Sequence, residues 1–250
     1  MIWKQKGNLI DADLKRIQDG VSNHSLSKAL IDGNCGIKAI DNSINELYDT
    51  GYMHNHNRMY LASIACNVAK SHWLNPAKWM YFNLFDGDWG SNALSWQWVC
   101  GSNSNKKYYA NQENINKYCY TVQRNTFLDT DYSKFESLPI PENLKETENL
   151  KLSTKLPENK ILKIDKNNPT LIYNYYNLDP KWRQEKNYNR VFLLEPKTFE
   201  KYPVSSKCID FAIELSKNIK GIQIYVGSFF DLVKQYDIKN TFYKEHPLNN

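Results

Sequence analysis

Between Asp86 and Trp98 the chain reads D-G-D-W-G-S-N-A-L-S-W-Q-W. Two acids flank a glycine, an asparagine follows, and three tryptophans fall within 13 residues. An indole is costly to leave in water, and a carboxylate is costly to bury. A fold that accepts this segment must hide rings and hydrate acids within a few turns. The wall of a specific pocket meets both demands.

Around this segment the pattern is helical. Residues 25–50 place Ile37, Ile40, Ile44 and Leu47 at spacings of three and four, one face of a helix. Gly51 follows, suited to a left-handed C-terminal cap. Residues 54–72 repeat the spacing through Met59, Ile64 and Val68. Asn75 and Pro76 read as the cap and first turn of a third helix running to Phe85. Residues 126–168 are charged, contain three prolines and keep no period, the pattern of a surface linker. From 169 onward T-L-I-Y-N-Y-Y, R-V-F-L-L-E and I-Q-I-Y-V-G read as strands, with Thr241–Tyr243 as a fourth. A helical stretch, S-S-K-C-I-D-F-A-I-E-L-S-K-N-I, separates two of them, so a parallel βαβ unit is expected. The expected organisation is α + α/β: an all-helical region 1–125, a linker 126–168 and an incomplete parallel α/β segment 169–250.

Composition narrows the class. Hydrophobic residues make up 41% of the 250, enough for a core. No apolar run approaches the roughly 20 residues of a membrane span, and the N-terminus lacks a signal-type apolar region. The cytoplasm is the expected compartment, with no membrane contact. Five scattered cysteines include no C-x-x-C, so neither a zinc site nor a disulfide framework is indicated and reduced thiols are expected. The net charge of +5 permits an anionic partner without requiring one. Neither G-x-G-x-x-G nor a phosphate loop occurs in the second half.

Two more segments, T-G-Y-M-H-N-H-N-R-M (50–59) and S-N-K-K-Y-Y-A-N-Q-E-N-I-N-K-Y (104–118), stand in order around D-G-D-W-G-S-N-A-L-S-W-Q-W. Together they resemble the helical FAD-binding domain of the photolyase/cryptochrome family over roughly residues 30–118. The resemblance implies FAD as cofactor, a reduced flavin passing one electron to a DNA lesion under blue or near-ultraviolet light. It implies that Arg58 and Asp86 form an ion pair against the isoalloxazine ring, that Asp88 bonds the ring's polar edge, and that Asn92 lies opposite N5. Gly87 would keep backbone close to the cofactor. Trp96 and Trp73 match the first two members of an electron-transfer chain, with no third member assignable, since Trp3 stands at the wrong distance. Trp98 and Met59 match positions against a flipped-out pyrimidine dimer, and Asn55 and His56 its rim. His56 stands where the family carries Arg, which weakens a phosphate contact near neutral pH; Lys106 and Lys107 could compensate.

The resemblance also implies what this sequence lacks. The family's upstream T-S-x-L-S-P-like segment, its W-R-[ED]-aromatic segment and its N-terminal antenna domain have no counterpart in this sequence, so the chain is expected to begin partway through the FAD domain. The expected partners are DNA containing pyrimidine dimers and a second chain supplying the missing helices, or else a homodimer. Three functions follow: a photolyase-type carbon–carbon lyase in DNA repair, a cryptochrome-like light sensor without repair, or a non-catalytic split or accessory subunit.

Overall fold

The computed structural model describes residues 9–246 and 248, and the chain divides into two units, Met1–Leu152 and Ser153–Asn250. Trp3 lies outside the described residues. In the first unit, helices α1 (Lys38–Thr50), α2 (Asn55–Ser63), α3 (Leu74–Asn83), α4 (Trp89–Cys100) and α5 (Gln112–Cys119) form the body. Ile37, Ile40, Ile44 and Leu47 are all buried, as their spacing predicts. Gly51 closes α1 in the left-handed conformation at φ 72°. Its bare Cα also lets Phe85 approach, since a Cβ there would lie 2.3 Å from the Phe85 ring.

Several boundaries differ from expectation. The pattern over 54–72 is not one α-helix: α2 ends at Ser63, and Ile64–Val68 forms a π-helical turn. Asn67, buried within it, donates to the carbonyls of Val99 and Tyr108 at 3.0 and 2.8 Å. Trp73, not Asn75, occupies the cap position of α3, and the Asn75 amide donates instead to the His24 carbonyl at 2.6 Å. Pro76 still falls in the first turn, where its missing N–H has no intrahelical partner to lose. The helix stops at Asn83, short of Phe85, whose N–H bonds back to the Gly51 carbonyl at 2.8 Å.

The first unit is not wholly helical. β1 (Leu26–Ser27) pairs antiparallel with β2 (Thr147–Glu148). Strand β2 belongs to the 126–168 stretch, which is more than a surface linker. Leu128, Phe135 and Leu144 are buried in the first unit and Leu162 in the second. These widely spaced single apolar residues pin an irregular chain without giving it a period. None of the five cysteines is in a disulfide, and four of them are buried.

The second unit carries the expected parallel sheet. β3 (Thr170–Tyr173), β4 (Asn189–Leu194), β5 (Ile222–Val226) and β6 (Thr241–Tyr243) lie in the order β5-β4-β3-β6, every pairing parallel. Helices α6 (Pro196–Lys201) and α7 (Ser206–Ser216) link β4 to β5, and α8 (Phe229–Tyr236) links β5 to β6. All four residues of β3 are buried, as a parallel strand covered on both faces requires. Ile172, Val191, Leu193, Tyr225 and Leu232 form one core cluster. Among the described residues no helix is long and apolar enough to cross a membrane.

A Gly51→Ala variant tests the close approach. Left-handed backbone and overlap with Phe85 should together lower stability by about 2–4 kcal/mol. An unchanged denaturation midpoint would show that Phe85 has room to retreat.

Candidate functional site

The site lies at the seam of α2 and α4. Asn55, Arg58, Met59 and Ala62 follow one another at i, i+3, i+4 and i+7 along α2, and Asn92, Ser95, Trp96 and Val99 do the same along α4. Residues so spaced share one helix face, and both stripes line a concavity of about 110 Å³. Leu84, Asp86, Gly87 and Asp88, from the turn entering α4, complete the lining with Ser91.

Arg58, Asp86, Asp88 and Asn92 are each held in place in this wall. Arg58 Nη2 donates to both Asp86 carboxylate oxygens at 2.9 Å, while its Nε donates to the Met53 carbonyl at 2.7 Å. The guanidinium also lies 5.6 Å from the Tyr52 ring centroid. The side chains are 22% and 52% exposed, so the pair is worth about 0–1 kcal/mol to stability. Its value is positional. Asp88 caps α4, its side chain accepting from the Ser91 N–H at 2.7 Å. The Asn92 amide donates to the Ala77 carbonyl at 2.8 Å, so its carbonyl oxygen is the end left for a ligand.

The structure thus brings together Asn55, Arg58, Met59, Asp86, Gly87, Asp88, Asn92 and Trp96. It leaves Trp73, His56 and Trp98 outside that lining. Trp98 stands two residues beyond Trp96, about 200° around the helix. It is 45% exposed and tilted against Tyr108 at 5.6 Å. His56 is exposed and stacks on Tyr118 at 5.5 Å. Trp73 is fully buried and stacks on Trp89 at 6.5 Å. Lys107 lies 3.8 Å from Asp19 and Lys106 is exposed. Gly87 has a packing reason to be glycine, since a Cβ there would sit 3.2 Å from the Leu84 carbonyl and the Tyr81 ring.

Sequence reasoning missed Trp89, Asp11 and Asp13. The Trp73 indole donates to Asp13 Oδ1 at 2.7 Å, and the Trp89 indole to Asp11 Oδ1 at 2.9 Å. Burial lowers the His72 pKa, an effect that Asp13, 3.7 Å away, partly opposes. Ala62, Ser95 and Val99 were recoverable from helical spacing alone.

The sequence profile of the FAD binding domain of DNA photolyase matches residues 4–133, just over half of the chain. The chain belongs to the photolyase FAD-binding family. The cofactor of this family's domain is FAD. Among similar proteins, the deoxyribodipyrimidine photo-lyase of Agrobacterium fabrum is 39% identical over 75 residues, 30% of this chain and 16% of that protein. A putative mitochondrial cryptochrome DASH of Neurospora crassa is 32% identical over 110 residues, 42% of this chain and 15% of that protein. Cryptochrome-1 of Arabidopsis thaliana is 32% identical over 75 residues, 30% of this chain and 11% of that protein. The chain therefore matches less than a fifth of the length of each of these relatives. No solved structure matches it.

The polar groups in the wall fit one edge of a flavin: a fixed cation as donor, with carboxylates and an amide oxygen as acceptors, on a face that Trp96 backs. The volume does not fit the whole cofactor, because ligand pockets usually run to roughly 300–1,000 Å³. What the residues form is a seat for a ring edge.

Asp13→Ala should leave the buried Trp73 indole N–H without its acceptor and cost about 1–3 kcal/mol. Equal stability of the variant by chemical denaturation would mean that another acceptor replaces the carboxylate.

Proposed function

We propose that this chain seats the FAD ring system against the α2/α4 seam and forms part of a photolyase-type enzyme acting on pyrimidine dimers in DNA. The observation that carries the reading is the Arg58–Asp86 pair sharing one concavity with Asn92 and Trp96. Bound and reduced, FAD supplies a light-excited one-electron donor.

The chain's own residues have separable roles in this reading. Arg58 presents a positive charge whose direction Asp86 and the Met53 carbonyl fix, which favours an anionic ring beside it. Asn92 offers an amide oxygen to a ring N–H, and Asp88 holds the start of α4 that carries Asn92. Trp96 and Trp73 serve as electron donors toward the ring. Asn55 and Met59 lie on the same wall as the ring edge, at the mouth where a flipped base would enter. Trp98, half-exposed, offers a face for stacking, and His56 a polar rim. Because the concavity admits an edge only, we assign the remaining cofactor contacts to a second polypeptide or a second copy of this chain.

The reading is tested by the near-ultraviolet and blue absorbance of the purified chain, alone and with its candidate partner chains. A flavin spectrum is expected in the assembled sample, and Arg58→Ala should weaken FAD by roughly tenfold or more, as loss of a charge-assisted bond does. No flavin in any sample, or FAD affinity indifferent to Arg58, would remove the seam as the cofactor seat.

Trp98→Ala tests the substrate. Losing one stacked base should weaken binding of ultraviolet-irradiated oligonucleotides by about 5- to 100-fold, with little change in fold because the ring is 45% exposed. Equal affinity for irradiated DNA would exclude Trp98 from the lesion site.

A further inference from the structure

A second cavity lies wholly within the second unit, and its chemistry runs opposite to that of the first. The chain lays down β3, β4 and β5 in one direction across the sheet; α8 then returns it so that β6 pairs with the other side of β3. The strand order reverses between β3 and β6, and open parallel sheets bind ligands in the crevice beyond the carboxyl ends at such a reversal. A cavity of about 680 Å³ occupies that place, within the roughly 300–1,000 Å³ usual for small-molecule sites.

Five rings contribute to the wall: Tyr175, Phe199, Phe229, Phe230 and Tyr243. Four of them brace one another in pairs. Tyr175 stands edge-on to Phe199 at 5.7 Å and to Tyr176 at 5.4 Å, and Phe229 meets Phe230 edge-on at 5.9 Å. Burial holds the Tyr175 hydroxyl far above the usual phenol range, so it remains neutral.

Charge decides the ligand class. Glu195 belongs to the lining, and among the described residues no lysine, arginine or histidine does. A nucleotide phosphate in such a crevice would sit on a helix N-terminus. Here the position is filled: the Phe229 N–H at the start of α8 donates to Glu195 Oε1 at 2.8 Å, and Ser228 accepts from the Asp231 N–H at 3.1 Å. Aromatic faces and carboxylates both attract cations.

We infer that this crevice binds a small planar aromatic cation, its ring stacked among the aromatic side chains and its charge matched by Glu195. Binding here does not depend on FAD. The probe is proflavine, a planar tricyclic cation, titrated into the full chain and followed by its fluorescence. Anthracene-9-carboxylate, a planar tricyclic anion, is the control. Saturable binding of proflavine is expected, with the anion weaker by about tenfold or more. Glu195→Gln keeps an acceptor for the Phe229 amide and removes the charge. It should weaken proflavine about tenfold, equivalent to roughly 1.4 kcal/mol. Phe230→Ala removes a ring that is 82% exposed, so the fold is not at stake, and it should also weaken proflavine. Absence of saturable binding, equal affinity for cation and anion, or proflavine binding that neither substitution alters would each overturn the assignment.

Discussion

Every feature of the candidate site depends on two helices turning matched stripes toward one seam. Their starts and stops fix the register: His54 accepts from the His56 N–H at the head of α2, Asp88 heads α4, and Gly101 ends α4 at φ 88°. Shift either helix by one residue and the stripe of α2 or α4 rotates by about 100°, taking Arg58 or Asn92 off the wall. The ion pair cannot hold this register by energy alone, because a half-exposed pair contributes at most about 1 kcal/mol. Packing does so instead. Leu61, Ala62, Ala93, Trp96 and Val99 are all buried, and burying one large apolar side chain is worth roughly 1.5–3 kcal/mol. The ion pair is thus oriented by the core, and is free to serve a ligand.

The same core creates a polar debt that the chain settles from a distance. Burying Trp73 and Trp89 hides two indole N–H groups, each costing about 1–3 kcal/mol if left unpartnered. Asp13 and Asp11 supply the acceptors. Nearby, Gln97 Oε1 accepts from the Leu14 N–H, and Gln18 bridges the Ser71 carbonyl and the Trp73 N–H. Residues 11–18 therefore act as a polar strap across the ends of α3 and α4. Sequence separations of 60 and 78 residues make those pairings invisible to any local pattern.

That contrast explains what was legible. The buried face of α1, the cap at Gly51, all four strands of the second unit and α7, though not the shorter α6, followed from period and turn chemistry. Eight site residues proposed from the family resemblance share one wall: five stand on the two helix faces, and Asp86, Gly87 and Asp88 come from the turn entering α4. The π-helical turn was not legible: its cause is tertiary, since Asn67 bonds carbonyls 32 and 41 residues away. Asn75 misled for a similar reason, as its side chain found the His24 carbonyl 51 residues earlier instead of capping its own helix. The β1–β2 ladder joins residues more than 100 apart, and each strand is only two residues long. Two residues carry no alternation to read.

The two cavities also differ in what excludes the wrong ligand. At the α2/α4 seam the Arg58 guanidinium is held by Asp86, and both share the lining with Asp88, so cation and carboxylate stand side by side there. At the sheet crevice the helix N-terminus that would welcome a phosphate is occupied by the chain's own Glu195 carboxylate. An anion entering there would have to displace that carboxylate or lie beside it, and like charges at close range cost several kcal/mol. A protein with a net charge of +5 thus keeps a local region where cations are preferred. Fold topology alone would assign that crevice to a nucleotide. One glutamate at the end of β4 reverses the preference.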